Sequence, residues 1–202
     1  AVQAEEAEAV SGWIYENETY PELEGVLGGS DQLKDTNTLM SALPILRRSG
    51  YKISDNDVRN GFRQVDQMTG LQGRWQKLRN SPTIICDTGH NVAGISYIVE
   101  QLKQMKYERL HMVIGMVNDK DVSGVLALLP KNAIYYFTKA SVKRALSETL
   151  LQQIGASAGL EGNTYPNVQS AVRAAQEKSL QEDLIFVGGS SYILASLLSC
   201  RE

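Results

Sequence analysis

The spacing of hydrophobic residues along the chain changes near residue 72. Before that point, apolar residues recur mostly three or four positions apart, which is typical of amphipathic helices. We predict helices over 1–10 and 38–48, and a third helix that begins at Ser54 or Asp55. One short strand is predicted over 23–27, ahead of a Gly-Gly turn. This part of the chain therefore reads as helix-rich.

The helix predicted over 38–48 has clear boundary signals at both ends. Short polar side chains that accept a hydrogen bond from a free backbone N–H are the preferred helix caps. Asp35, Thr36 and Asn37 are the three candidates at the start of this helix. Gly50 predicts its end, because glycine readily adopts the left-handed conformation that follows many helices.

After residue 73 the pattern becomes a regular alternation of strands and helices. Continuous apolar runs predict strands over 83–86, 110–115, 133–137 and 184–187. Helices are predicted over 91–105, 121–129, 143–154, 168–179 and 191–199. Such alternation predicts an α/β fold with a Rossmann-like, mostly parallel sheet, and continuous apolar runs indicate burial on both of its faces. We expect two domains, 1–72 and 73–202.

Polar or glycine-rich residues follow each predicted strand, where open α/β sheets bind their ligands. Asp87 and His90 follow the first strand, and a Gly-Gly-Ser turn ending at Ser190 follows the last. A carboxylate can accept hydrogen bonds from a ribose, and a histidine can orient a substrate or shuttle a proton. The simpler alternatives stay open: Asp87 and Asn91 as helix caps, and the glycines as a tight turn.

Composition narrows the possible functions. The 202 residues carry a formal net charge of −3, which does not favour a nucleic-acid partner. The densest basic pairs, Arg47-Arg48 and Lys143-Arg144, are interpreted as solvated charge, with a phosphate contact as the alternative. Two distant cysteines and no signal peptide or long apolar run favour a cytoplasmic protein that does not enter a membrane. Two histidines without a zinc-binding spacing predict no zinc site, and no G-x-x-x-x-G-K-[ST] phosphate loop occurs.

Five motifs together resemble the folylpolyglutamate synthase/dihydrofolate synthase family of the Mur ligase superfamily. In order, they are Leu-Gly-Gly-Ser-Asp-Gln from 27 to 32, Gly-Arg-Trp-Gln from 73 to 76, Asp-Thr-Gly-His-Asn from 87 to 91, Ile-Gly-Met with Asp-Lys-Asp from 114 to 121, and Val-Gly-Gly-Ser from 187 to 190. The family more often has Asp-Gly-Ala-His-Asn-Pro at the central motif, whereas this chain has Thr88-Gly89 and Val92.

The resemblance implies an ATP-dependent ligase with Mg²⁺ as its metal. ATP would phosphorylate a carboxylate of dihydropteroate or a folate, and the amine of L-glutamate would attack the acyl phosphate. Carried over by motif, Asn37 and Arg74 would contact the nucleotide, and Asp87 would bind its ribose. His90 would be catalytic and contact substrate, and Ser190 would lie on the glutamate side. The sequence does not separate dihydrofolate synthesis from polyglutamate extension.

The family carries its phosphate loop and its magnesium ligands upstream of these motifs. We therefore expect 1–72 to be the end of a central ATP-binding domain and 73–202 a complete C-terminal ligase domain. On this interpretation the chain alone is inactive, and the whole protein is a monomer. Two alternatives remain open: a Mur-type ligase acting on a cell-wall UDP-sugar precursor, and a non-catalytic nucleotide-binding module.

Overall fold

A computed structural model describes residues 3–6, 12–118 and 121–199. The chain divides into two compact units, an N-terminal unit of residues Ala1–Gln76 and a C-terminal unit of residues Lys77–Glu202. Within the described ranges, every helix is too short or too polar to cross a lipid bilayer.

The N-terminal unit combines a small antiparallel sheet with two helices. Its elements are β1 (Gln3–Glu6), β2 (Trp13–Glu16), β3 (Leu23–Gly25), α1 (Gln32–Arg48) and α2 (Asp55–Thr69), and the sheet order is β1-β2-β3. Buried Tyr15 and Leu23 from the sheet pack with Leu43 of α1 and Val58 of α2. This small core joins the sheet to both helices.

Two predictions for this unit were wrong. The helix predicted over 1–10 is contradicted by β1, whose backbone pairs with β2; the remaining positions of that range lie outside the described residues. Cross-strand pairing has overridden a local helical preference there. The helix predicted over 38–48 begins six residues earlier, at Gln32, so Asp35, Thr36 and Asn37 lie inside α1 and do not cap it.

The start and end of α2 follow local rules. The Ser54 side chain accepts a hydrogen bond from the backbone N–H of Asp57, and the Asp57 carboxylate accepts one from the backbone N–H of Ser54. This reciprocal pair is a capping box. The helix ends at Gly70, which adopts a left-handed conformation with φ of 69°. The predicted start at Ser54 or Asp55 is confirmed.

The C-terminal unit is built around a six-stranded sheet, as predicted for a Rossmann-like α/β fold. Its elements, with the first residue of β4 contributed by the preceding unit, are β4 (Gln76–Asn80), β5 (Thr83–Cys86), α3 (Val92–Gln104), β6 (Leu110–Ile114), α4 (Val122–Leu128), β7 (Ile134–Phe137), α5 (Glu148–Ser157), β8 (Gly162–Thr164), α6 (Val168–Lys178), β9 (Leu184–Gly188) and α7 (Ser191–Leu198). The strand order is β4-β5-β9-β6-β7-β8, and β5, β9, β6, β7 and β8 run parallel to one another.

Helices cover both faces of this sheet. Buried residues of α6 and α7, such as Ala171 and Ile193, pack with Val113 and Tyr136 from one face. On the opposite face, Gly155 of α5 lies against the ring of Phe137. Adjacent strand residues point to opposite faces, so Tyr136 and Phe137 mark the two layers. All five residues of β6 and of β9 are buried, which explains their continuous apolar sequences.

Three features of the C-terminal unit differ from the sequence prediction. The short outer strands β4 and β8 were missed, because sequences such as Gly-Asn-Thr carry no apolar run. The helix predicted over 143–154 begins only at Glu148, where Ser147 caps it. The backbone just before this helix pairs with the loop after β6 and is not helical. Ala145 forms a β-bridge with Val117, and the N–H of Leu146 donates to the carbonyl of Met116.

A buried polar cluster joins β6, β7 and β9 near the amino ends of β6 and β9. The carboxylate of Asp183 accepts hydrogen bonds from the Arg109 guanidinium at 2.7 Å, the backbone N–H of Leu180 at 2.8 Å and His111 Nε2 at 3.3 Å. An ionised carboxylate only accepts, so Nε2 of His111 carries a proton and, with His111 neutral, Nδ1 accepts from the Tyr136 hydroxyl at 2.9 Å. This cluster stabilises the strand arrangement.

Candidate functional site

The carboxyl ends of the parallel strands bring several polar loops to one edge of the sheet. The loop after β5 contains Asp87 and His90, the loop after β9 contains Ser190, and the loop after β7 begins at Thr138. β9 lies between β5 and β6, although it follows both in the sequence. The strand order therefore reverses here, and such a reversal is where open α/β sheets form ligand crevices. We call this edge the carboxyl edge.

The loop after β5 is held by its own polar groups. The Asp87 carboxylate accepts a hydrogen bond from the backbone N–H of Gly89 at 2.7 Å. The Nδ1 atom of His90 lies 3.0 Å from the carbonyl oxygen of Thr88, which only accepts, so Nδ1 carries a proton. In a neutral His90 the Nε2 atom is then a proton acceptor. Asp87 and His90 are both half-buried.

Two polar residues of the carboxyl edge serve as helix caps. The Asn91 side chain accepts a hydrogen bond from the Gly94 N–H at 2.8 Å and begins α3. The Asp121 carboxylate accepts one from the Gly124 N–H at 2.9 Å and begins α4. The capping alternative is thus confirmed for Asn91, whereas Asp87 closes a turn within its own loop. Asp119 and Lys120 lie outside the described residues.

The glycines after β9 allow two loops to approach closely. Gly189 has φ of 98°, and a Cβ there would lie 2.5 Å from the carbonyl oxygen of Gly115. The Gly115 N–H donates to the Gly188 carbonyl at 3.2 Å. Ser190 is 3% exposed, and its hydroxyl accepts from the Ile193 N–H as the cap of α7. The tight-turn interpretation of the glycines is confirmed, and the substrate role of Ser190 stays a prediction.

The loop after β7 makes contacts that its sequence does not predict. The hydroxyl of Thr138 is fully buried, and none of the described residues forms a hydrogen bond with it. Lys139 forms an ion pair with Glu148 at 2.9 Å, and this lysine holds the pKa of the Glu148 carboxyl below its usual value. The guanidinium carbon of Arg144 lies 4.9 Å from the centre of the Tyr192 ring. The prediction that Arg144 is ordinary solvated charge was therefore incomplete, because the partner on α7 is 48 residues away in sequence.

The predicted nucleotide contacts Asn37 and Arg74 belong to the N-terminal unit. Asn37 lies in the second turn of α1, where its side-chain amide donates to the carbonyl of Leu33 at 2.9 Å. Arg74 lies in a turn between Gly73, with φ of 76°, and Trp75, with φ of 46°. A bulky residue in a left-handed conformation is unusual, and such positions cluster at ligand sites. The nucleotide roles of both residues stay predictions.

The N-terminal unit also contains a partly open apolar cavity of about 340 Å³. Tyr15 and Phe62 contribute its aromatic wall, with their rings 5.8 Å apart in an edge-to-face arrangement. Leu39, Leu43 and Val65 from the two helices are further apolar residues of its lining. This apolar lining differs from the polar carboxyl edge and lacks the convergent charges that a phosphate group requires.

The chemistry of the carboxyl edge suits recognition of hydroxyl and anionic groups. Within 3–6, 12–118 and 121–199, no group of three or more His, Cys, Asp or Glu side chains is arranged to hold a metal ion.

Comparison with known proteins places these features in context. A family described as "Mur ligase, glutamate ligase domain" matches residues 73–191, which include the loops after β5, β6, β7 and β9. The dihydrofolate synthase/folylpolyglutamate synthase of Escherichia coli strain K12 is 33% identical over 162 residues, covering 78% of this chain and 36% of that protein.

Solved structures show the same architecture. E. coli FolC in complex with DHPP and ADP has a TM-score of 0.71 and 26% identity, over 93% of this chain and 43% of that one. A Mycobacterium tuberculosis folylpolyglutamate synthase has a TM-score of 0.75 at 22% identity, over 99% of this chain and 47% of that one, and supports the fold alone. This chain thus spans less than half the length of each of these proteins.

Proposed function

This chain belongs to the Mur ligase family, and we propose that the protein containing it joins L-glutamate to a pterin carboxylate in an ATP-dependent reaction. The observation that carries the proposal is the match of the glutamate ligase domain to residues 73–191, together with the similarity to the E. coli synthase. The substrates would be dihydropteroate, folate polyglutamates or both. An acyl phosphate would be attacked by the glutamate amine.

We assign residues 1–72 to the end of a central ATP-binding domain and residues 73–202 to the ligase domain. Relatives more than twice as long support this division, since this chain covers 36% of the E. coli synthase. Magnesium would accompany ATP, and most of its ligands would be supplied by the rest of the central ATP-binding domain. The chain alone would be inactive, and the whole protein a cytoplasmic monomer.

The proposed residue roles follow from the atoms available at the carboxyl edge. A carboxylate has about four lone-pair positions, so the Asp87 side chain can accept ribose hydroxyls as well as the Gly89 N–H. His90 would use its Nε2 atom to accept a proton from the attacking glutamate amine, because its Nδ1 proton faces Thr88. Ser190 would support the glutamate side of the site. Asn37 and Arg74 would contact the nucleotide.

The test is ADP release by the whole protein with MgATP, L-glutamate and either dihydropteroate or a reduced folate monoglutamate. Release that depends on both glutamate and a pterin would support the proposal, and the preferred pterin would separate the two synthase activities. Folded protein that binds ATP but shows no pterin-dependent release would contradict it. A cell-wall UDP-sugar precursor is the substrate to test next, and no turnover with either would favour a non-catalytic binding module.

The role of His90 is tested with the substitution His90→Gln. Loss of a general base typically lowers kcat by roughly 10²- to 10⁴-fold. The matched control is Ser96→Ala, a half-buried position on the neighbouring helix α3 whose hydroxyl donates locally to the Val92 carbonyl. An unchanged kcat in the His90 variant would refute proton transfer by this residue.

A further inference from the structure

We propose that Ile98 is a positioning residue that determines where His90 lies. The Ile98 side chain lies against Gly89, the residue before His90, and leaves no room there for a side chain between the loop after β5 and helix α3. The inference rests on the proposed function, in which His90 accepts a proton from the glutamate amine, and it adds the residue that holds this base in place.

Glycine is required at position 89 by space and not by its backbone conformation. The φ angle of Gly89 lies outside the left-handed range, so the backbone itself would tolerate alanine. A Cβ atom added at Gly89 would lie 2.6 Å from Cδ1 of Ile98 and 3.5 Å from the carbonyl carbon of Gly94. A Cβ atom added at Gly94 would lie 3.4 Å from Cα of Gly89. The loop after β5 therefore lies directly on the first two turns of α3.

The Ile98 side chain has little freedom to move away from the loop. It is 2% exposed and lies four positions after Gly94, so both residues occupy the same face of α3. Ile95 and Leu102 of the same helix are also buried. A β-branched side chain in a helix strongly prefers one χ1 rotamer, and a close-packed core offers few voids into which Cδ1 could turn. The side chain at position 98 therefore sets the distance between Gly89 and α3.

His90 is attached to α3 on both sides. Gly89 precedes it and lies on the helix, and Asn91 follows it and accepts a hydrogen bond from the Gly94 N–H at 2.8 Å as the cap of α3. The Nδ1 atom of His90 donates to the Thr88 carbonyl at 3.0 Å, so the ring is tied to the same loop. A displacement of Gly89 therefore moves the imidazole, and with it the Nε2 atom that would accept the proton.

The decisive measurement is kcat of the whole protein in a cycle of two single variants and their double variant. Carbon atoms in contact lie about 3.5–4.0 Å apart, so Gly89→Ala should push the loop and α3 apart by about 1 Å, and a displacement of this size should lower kcat roughly 10- to 100-fold. Ile98→Val deletes only Cδ1, the atom nearest the added Cβ, and alone should lower kcat by about fivefold or less. The double variant should be about fivefold or more faster than Gly89→Ala alone.

Ile95→Val is the matched control. It deletes the same methyl group from an equally buried position on α3, which is 1% exposed, but leaves Cδ1 of Ile98 in place. Combined with Gly89→Ala, it should give no recovery of kcat. Ile98→Ala tests the same contact without adding an atom to the loop, and should lower kcat roughly 5- to 20-fold because Gly89 loses its support. Thermal unfolding of each variant checks that it is folded at the assay temperature.

A substitution that acts through His90 should have no further effect once His90 has been replaced. In the His90→Gln background, Gly89→Ala should therefore change the remaining kcat by less than about twofold, because residues that act as a unit are not additive. A purely structural effect of Gly89→Ala would lower kcat by the same factor in both backgrounds. This comparison separates the positioning of His90 from a general loss of structure.

Each alternative outcome has a definite meaning. A wild-type kcat in folded Gly89→Ala, a double variant no faster than Gly89→Ala, or an effect that persists in His90→Gln would overturn the inference and leave the proposed function intact. Should Gly89→Ala not fold, Ile98→Ala decides, and an unchanged kcat in that variant would overturn the inference. A wild-type protein without glutamate-dependent turnover would overturn the proposed function and this inference together.

Discussion

Replacing Asp183 by asparagine should destabilise the C-terminal unit by about 3 kcal/mol. The Asp183 side chain is fully buried and accepts hydrogen bonds from Arg109, Leu180 and His111. Asparagine retains one acceptor oxygen but presents N–H donors toward a guanidinium and an imidazole N–H. Removing one member of a buried ion pair typically costs about 3–5 kcal/mol. The Arg109 side chain is 44% exposed and asparagine retains one acceptor oxygen, so the cost should lie at the lower end of this range.

The same cluster predicts how acid acts on stability. Burial raises the pKa of the Asp183 carboxyl, but hydrogen bonds from Arg109, Leu180 and His111 outweigh it and bring the pKa to about 2, below the usual 3.8. A depressed carboxyl pKa contributes stability above pH 3.8 that is lost as the pH falls toward 2. The difference between these two pKa values corresponds to about 2 kcal/mol of unfolding free energy. Asp183→Asn should remove this acid-dependent component.

The assay is urea denaturation followed by circular dichroism between pH 2 and pH 8, with Glu182→Gln as the control. Glu182 is adjacent in sequence but exposed, so its substitution should change the free energy of unfolding by less than about 0.5 kcal/mol. A loss below about 1 kcal/mol for Asp183→Asn at pH 7 would refute the reasoning. An acid response equal to that of the wild type would refute the assigned direction of the pKa shift.

Four further substitutions should change stability for reasons of local geometry. Burial lowers the pKa of His111 below 6.5, so the free energy of unfolding should fall as the pH drops below 6.5. In His111→Gln, urea denaturation should show a smaller fall over the same pH range. Gly115→Ala should lower the free energy of unfolding by about 1–3 kcal/mol, because the added Cβ would lie 2.8 Å from the Thr138 carbonyl oxygen. Gly61→Ala adds a Cβ in open space inside α2 and should raise the free energy of unfolding by about 0.5–1 kcal/mol, as measured by thermal unfolding. Ser54→Ala should lose about 1 kcal/mol, since it removes the capping box; an unchanged Tm would contradict this.

The C-terminal unit was largely predictable because local and long-range preferences agree there. The apolar runs of β5, β6, β7 and β9 are strands in any context that buries both faces, and caps such as Asn91 mark the adjacent helices. The outer strand β8 could not be predicted, because its Gly-Asn-Thr sequence becomes a strand only through pairing with β7. The helical prediction for 1–10 failed for the same reason, since β1 exists through its pairing with β2.

The residues of the candidate site divide in a similar way. Asp87 and His90 could be proposed from the sequence, because they directly follow a strong strand and lie on the ligand-binding side of any parallel sheet. The pairing of Arg144 with Tyr192 could not, because it depends on α7 returning to the centre of the sheet beside the loop after β7. Contacts of this kind are set by topology and carry no local signature.

The position of β9 also constrains how the C-terminal unit folds. β5 and β6 precede β9 in the chain but share no ladder, because β9 lies between them and pairs with both. The centre of the sheet therefore cannot close until a strand about 70 residues beyond β6 has been synthesised and has inserted. Parallel pairings over such separations form slowly. During synthesis, the edges of β5 and β6 that pair with β9 therefore stay unpaired until β9 has been made. We expect aggregation to be most frequent at this stage of folding, because unpaired apolar strand edges are exposed.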